Sequence, residues 1–287
     1  MAATRPTASP DPRALDALAA LVEDGLAAVP RRPFVLGLCG AQGSGKTLIA
    51  GALAERKEAR GLRTAVLSLD DLYLTRAERR ALAAQVHPLF ATRGPPGTHD
   101  IALGLELFAA LDAGNTTALP RFDKAIDDRA PPDRWPVIAG RLDLLIVEGW
   151  CIGATPEPEA ALAEPVNALE RREDADAVWR THANDALARY RPLFARIDRL
   201  ALLAAPGFEV VRAWRTQQER GLRAERPDGE AVMDAAAIDR FVQHYERITR
   251  HVLADLPGRA DLTLRLDAER RVTAVERSAS PARLSSD

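Results

Sequence analysis

The chain has 287 residues, 47% of them hydrophobic and 28% charged, with a formal net charge of -2. That length and apolar content support a sizeable core in one large domain or two small ones. The basic residues are spread along the chain, which argues against nucleic acid as a partner but leaves room for one small anion.

The two cysteines, Cys39 and Cys151, do not make a disulfide framework in a chain this long. They point to a reducing compartment, taken as the cytoplasm. No apolar run approaches the length of about 18 residues that a membrane span needs. The first dozen residues are rich in Pro, Ser and Ala and lack the apolar stretch of a secretory signal, so they are expected to be a frayed tail.

Leucines and valines at helical spacing predict an amphipathic helix over residues 14–29, ended by Pro30 and Pro33. FVLGLCG, residues 34–40, is a continuous apolar run of the kind buried on both faces of a parallel sheet. A Gly-rich turn and a helix follow. Residues 63–69 and 142–149 read as a second and third buried strand, and 198–206 as a fourth. Helical patterns fill 75–86 and 101–113, and two long helices follow residue 207. Residues 260–275 read as a last strand or a hairpin. Apolar strands alternating with helices predict an α/β protein, three-layered, with a mainly parallel sheet. The expected division is a tail and helix over 1–32, one α/β domain over 33–277, and a loose tail over 278–287.

GAQGSGKT, residues 40–47, matches the phosphate-binding pattern G-x-x-x-x-G-K-[ST] between a buried strand and a helix. The segment Gly40, Ala41, Gln42, Gly43, Ser44, Gly45, Lys46 and Thr47 lets the backbone wrap a phosphate with its N–H groups turned inward. The helix start adds positive potential. Lys46 can reach the β- and γ-phosphates, and the Thr47 hydroxyl can ligate Mg²⁺. No Asn-Lys-x-Asp stretch is present, which argues against guanine.

Ligands of open α/β sheets lie beyond the carboxyl ends of the strands. Two strands end there in acids: Asp70 and Asp71 after the second, and Glu148 at the third. Glu148 is the candidate for Mg²⁺, directly or through water, with a turn cap as its structural alternative. Asp143 begins its strand, so at about 3.3 Å per residue it lies roughly 16 Å from the phosphate edge. One of Asp70 and Asp71 can take the proton of an attacking hydroxyl. The other can bind metal or cap the next helix, and composition does not choose between them.

RGPPGTHD, residues 93–100, is a stiff turn set with an Arg and a His-Asp pair. It joins a set of ordered segments: SLDDLYLT (68–75), PRFDKAIDDRAP (120–131), IVEGWCIG (146–153) and WRTQQE (214–219). With the P-loop and the S-x-D-x-[FY] pattern, the chain resembles the kinases grouped with uridine kinase, pantothenate kinase and phosphoribulokinase. Within that group it is most similar to the D-glycerate 3-kinase family of plants, fungi and bacteria, over residues 33–255. Leu72, where an aromatic is usual, and Ala125, where Ser or Thr is frequent, depart from the family pattern.

The resemblance implies transfer of a phosphoryl group from ATP, with Mg²⁺, to a small hydroxy acid such as D-glycerate. It implies that Asp70 is the base, that Lys46 and Thr47 keep their phosphate and Mg²⁺ roles, and that Glu148 joins the metal shell, with Asp71 a further candidate. A small carboxylate needs a cation and hydroxyl partners. Arg93 can grip it with a planar fork. His99 and Asp100 can hydrogen-bond its hydroxyls, and Lys124 and Arg129 can add positive charge. Asp100 equally suits an N-cap. Arg212, Arg215 and Arg223, near one face of a late helix, are candidates for a lid over ATP. Two rival readings stand beside this one: a kinase for a nucleoside or pantothenate-like alcohol, and a P-loop ATPase switch with no small acceptor.

Overall fold

A computed structural model describes residues 9–225 and 235–278, with the side chains of 219–225 excepted. The terminal residues expected as loose tails, 1–8 and 279–287, fall outside that range, as does the side chain of Arg223.

The chain opens with helix α1 (Pro12–Ala28), started by Asp11, whose carboxylate accepts from the Arg13 N–H. Strand β1 (Phe34–Gly40) is buried at every position and leads through the Gly-rich turn into α2 (Lys46–Glu58). Next come β2 (Thr64–Ser68) and α3 (Arg76–Gln85), the latter begun by a reciprocal capping box between Thr75 and Glu78. Helix α4 (Ile101–Asp112) is followed by four two-residue strands: β3 (Thr117–Ala118), β4 (Phe122–Asp123), β5 (Asp128–Arg129) and β6 (Val137–Ile138). They form two small antiparallel pairs, β3 with β6 and β4 with β5. Then follow β7 (Leu144–Gly149), α5 (Ala168–Glu173), α6 (Val178–Phe194) and β8 (Arg199–Ala204). Helices α7 (Glu209–Glu225) and α8 (Ala235–Asp255) precede the hairpin β9 (Leu262–Leu266) and β10 (Val272–Arg277).

The main sheet has six strands in the order β10-β9-β8-β1-β7-β2. All its neighbours pair in parallel except β9 with β10. The α/β reading with a mainly parallel sheet is therefore the observed fold, and the last segment is a hairpin.

Alternating side chains of β1 feed two cores. Leu36 and Leu38 pack with α1, α2 and α7 through Leu18, Val22, Leu53 and Trp214. Val35 and Cys39 face α4 and α6 through Phe108 and Leu187. Each such fully buried side chain contributes about 1.5–3 kcal/mol. This explains why the strands read as unbroken apolar runs: neither face of the central sheet meets water. Helix α8 serves both cores, with Ile238 and Val242 in one and Tyr245, Ile248 and Val252 in the other.

Register sets the site. Ser68 at the end of β2 is level with Glu148 of β7, and Glu148 is level with Leu38 of β1. The carboxyl ends of β1, β2 and β7 thus converge, and the three motif loops leave the sheet side by side.

Candidate active site

The turn after β1 is braced from behind. Gly43 adopts φ +78°, and a Cβ there would lie 2.7 Å from Cβ of Trp214. Trp214 is buried, donates its indole N–H to the Ala268 carbonyl at 2.7 Å, and carries the Arg270 guanidinium 5.1 Å above its ring. Arg270 in turn donates to the Gly43 carbonyl and, at 2.7 Å, to Gln217. Helix α7 and the β9–β10 turn therefore hold the P-loop in shape. Sequence reasoning assigned no role to Trp214 or Arg270; the only signal was that Trp214 opens the WRTQQE motif.

Lys46 and Thr47 form the first turn of α2. The Thr47 hydroxyl donates to Oε1 of Glu148 at 2.8 Å, while Oε2 of Glu148 is buried with no partner among the described residues. Glu148 is only 1% exposed. A buried carboxylate with one unsatisfied oxygen beside an exposed hydroxyl is a hard oxygen donor set, which fits Mg²⁺ completed by phosphate and water oxygens. No group of three or more His, Cys, Asp or Glu side chains among the described residues could hold a metal alone. Ser44 also keeps a buried, unpartnered hydroxyl in the cradle.

Asp70 and Asp71 lie in a 3-10 turn, Leu69–Leu72, begun by Ser68. The turn sends their side chains to different partners. Asp70 accepts from the Tyr73 hydroxyl on Oδ1 at 2.8 Å and from the Lys124 ammonium on Oδ2 at 2.7 Å. Burial pushes its carboxyl up, but Lys124, Lys46 and the Tyr73 hydroxyl outweigh burial and hold it well below the usual carboxylate range. Asp71 accepts from the Phe122 N–H at 3.0 Å and from Arg121 at 3.1 Å. Burial raises its pKa against those two contacts, with the Asp70 charge adding to the rise. Asp71, expected as a further metal candidate, engages both of its oxygens in fastening the β4 strand.

The loop over 93–100 is a scaffold more than a row of free ligands. Asp100 caps α4 through the Leu103 N–H at 2.9 Å and takes Arg129 on its other oxygen at 3.2 Å. Arg129 also donates to the Tyr73 carbonyl at 3.0 Å. Asp100 and Arg129, expected as acceptor contacts, thus cap α4 and join β5 to the loop, while Nε of Arg129 has no partner among the described residues. His99 is 5% exposed and stacks on Tyr73 with ring centroids 4.6 Å apart. The Tyr190 hydroxyl accepts from the Gly97 N–H at 2.8 Å and lies 2.7 Å from Nδ1 of His99. Tyr190 and Nδ1 of His99 therefore share a hydrogen bond whose direction follows the tautomer of the imidazole. Nε2 of His99 has no partner among the described residues, and burial lowers the pKa of His99 to about 4.

Arg93 pairs with Asp127, which also receives the fully buried Arg79. Both guanidiniums flank the Phe122 ring, at 5.5 Å for Arg79 and 5.7 Å for Arg93. Of the acceptor residues expected from sequence, Lys124 is the one in direct contact with Asp70.

Of the expected lid residues, Arg212 and Arg215 face α8. Arg212 makes a double contact with Asp239, one bond at 2.9 Å, and Arg215 lies 4.9 Å over the Phe241 ring. They join α7 to α8, and Trp214 between them is what touches the P-loop.

No family model matches the chain. The uncharacterized kinase mug58 of Schizosaccharomyces pombe is 33% identical over 224 residues, covering 75% of this chain and 79% of the relative. The chloroplastic D-glycerate 3-kinase of Arabidopsis thaliana is 31% identical over 225 residues, 74% of this chain. The chain belongs to the D-glycerate 3-kinase family of P-loop kinases. It spans 46% of the length of the Arabidopsis relative. A solved D-glycerate 3-kinase from Cryptococcus neoformans superposes with a TM-score of 0.78 at 26% identity, over 92% of this chain and 99% of that one. The α/β fold with a P-loop, the kinase class and the use of a nucleotide follow from this membership. No helix among the described residues is long and apolar enough to cross a membrane.

Proposed function

We propose that this member of the family transfers the γ-phosphoryl group of ATP to the 3-hydroxyl of D-glycerate, giving 3-phosphoglycerate and ADP. The observation that carries the reading is Asp70. Its carboxylate stands at the sheet edge within electrostatic reach of Lys46, with Lys124 on its outer oxygen. In this reading residues 40–47 cradle the triphosphate, and Lys46 contacts the β- and γ-phosphate oxygens. Thr47 and Glu148 would hold Mg²⁺, which when bound neutralises charge on the phosphate oxygens. Asp70 accepts the proton of the acceptor hydroxyl as that oxygen bonds to the γ-phosphorus. The bond from that phosphorus to the bridging oxygen breaks, and its electron pair leaves with ADP. The family's kinase chemistry rests mainly on positioning and charge, which suits a site built on braced loops.

Arg93, Lys124 and Nε2 of His99, which has no partner among the described residues, supply the acceptor side, a cationic rim for a carboxylate with one hydrogen-bonding nitrogen for a hydroxyl. The reading includes a reducing compartment such as the cytoplasm, supported by the two buried free thiols of Cys39 and Cys151. The test is ADP release with D-glycerate, L-glycerate, pantothenate, uridine or no acceptor. Release stimulated by D-glycerate alone, or by it most strongly, is expected. Stimulation by uridine or pantothenate instead, or an equal rate with nothing added, would overturn the substrate.

A further inference from the structure

The two oxygens of Asp70 are held by very different partners. Tyr73 on Oδ1 is 1% exposed and locked by stacking on His99 and an edge contact with Phe122, 5.1 Å between centroids. Lys124 on Oδ2 is 58% exposed, whereas Asp70 itself is 19% exposed. Lys124 sits in the turn between β4 and β5, whose base is nailed down. Arg79 and Arg93 converge on Asp127, Asp71 holds the Phe122 N–H, and Arg129 is tied to Asp100. The hairpin is fastened where it meets the body and presents one exposed ammonium in its turn. The ammonium is open to solvent on its outer side, so a second anion can approach Lys124 without entering the core.

The geometry has a chemical consequence. A base can take a proton only through an oxygen that the alcohol can reach. Oδ1 is turned into the core and already accepts a hydrogen bond, so the reachable oxygen is Oδ2, and Lys124 covers it. An acceptor that carries its own carboxylate offers the ammonium a second anion. A neutral acceptor offers nothing in exchange.

We propose that Lys124 is a charge gate on the base: it caps Oδ2 of Asp70 until the carboxylate of a hydroxy acid draws its ammonium away, so that uncovering of the base is coupled to the negative charge of the acceptor. The reaction itself is unchanged. The hydroxyl proton goes to Oδ2, the alcohol oxygen bonds to the γ-phosphorus, and ADP leaves with the electron pair of the broken bond. The gate makes charge part of acceptor selection and keeps Asp70 from serving water before a hydroxy acid binds. The inference rests on the glycerate-kinase reading above and adds to it a way of rejecting neutral polyols.

The test compares wild type, Lys124→Met and Lys124→Arg with D-glycerate and with glycerol, which has the same carbon skeleton and no charge. Lys124 is exposed, so neither variant should disturb folding. In Lys124→Met, kcat/KM for D-glycerate should fall by about tenfold or more, the size of one lost charge-assisted contact. Turnover with glycerol and acceptor-free ADP release should each rise by about threefold or more, because the base is then uncovered. Lys124→Arg should restore most of the preference for the anion. If glycerol turnover and acceptor-free release stay level or fall in Lys124→Met, Lys124 is no gate, even when the glycerate rate drops. If the wild type uses D-glycerate and Lys124→Met keeps the wild-type preference, the gate fails while the glycerate reading stands. If the wild type uses no hydroxy acid at all, the underlying reading fails first.

Discussion

Gly94→Ala tests whether the acceptor loop is rigid for the reason given. At this position φ is +121°, and a Cβ would lie 2.0 Å from the Tyr245 hydroxyl oxygen, 2.5 Å from Cζ and 2.7 Å from Cε1. Tyr245 cannot easily yield. It is 1% exposed, wedged against Trp150 and Phe241 with centroids 4.8 and 5.0 Å away, and its hydroxyl donates to the Arg93 carbonyl at 3.1 Å. Placing a side chain in that backbone region costs about 1–3 kcal/mol. Forcing extra volume into a packed core costs about 1–3 kcal/mol more. The expected loss is therefore about 2–6 kcal/mol, which at a urea m-value of about 2–3 kcal/mol/M lowers the unfolding midpoint by about 0.7–3 M with the slope preserved. Adding Tyr245→Phe removes the atom at 2.0 Å but leaves Cζ at 2.5 Å, so the double variant should recover part of the loss. A midpoint for Gly94→Ala within about 0.2 M of wild type, below about 0.5 kcal/mol, would refute the close packing of this loop against α8.

Stability should also fall in acid. Burial lowers the pKa of His99 and of His244 from 6.5 to about 4, so the folded protein excludes protons that the unfolded chain binds. Their contribution is complete above about pH 6.5 and is lost as pH drops towards about 4, by up to roughly 3 kcal/mol each. Melting curves from pH 7 to 4 should show that slope, and His244→Gln should flatten it; an unchanged slope would remove His244 from the account. Glu148→Gln should raise the Mg²⁺ concentration for half-maximal turnover by about 10- to 100-fold without lowering the melting temperature of the metal-free protein, and an unaltered Mg²⁺ requirement would exclude Glu148 from the metal site.

What could be read from the sequence was mostly local. The run over 34–40 is apolar throughout because both faces of β1 are buried, and the Gly-Lys-Thr signal sits on a strand–helix junction of fixed geometry. The short strands β3 to β6 left no trace, since two residues are too few for an alternation to register. Asp70 and Asp71 could not be told apart because what separates them, Lys124 against Arg121 and the Phe122 N–H, comes from a hairpin about fifty positions later in the chain. Asp100 is likewise decided by its neighbours, a local N-cap and a distant Arg129. Arg270 reaches Gly43 across 227 positions, beyond any periodic pattern. Residue types at the site were thus legible, but their directions were set by tertiary partners.

The central claim is that Asp70, and not its neighbour, primes an alcohol for attack on the γ-phosphorus. The most direct measurement is glycerate-dependent turnover and ATP affinity in Asp70→Asn beside Asp71→Asn. The account predicts that Asp70→Asn loses about 10²- to 10⁴-fold in kcat while still binding ATP, and that Asp71→Asn keeps most of its turnover and loses stability instead. Near-normal turnover in Asp70→Asn together with collapse in Asp71→Asn would contradict it.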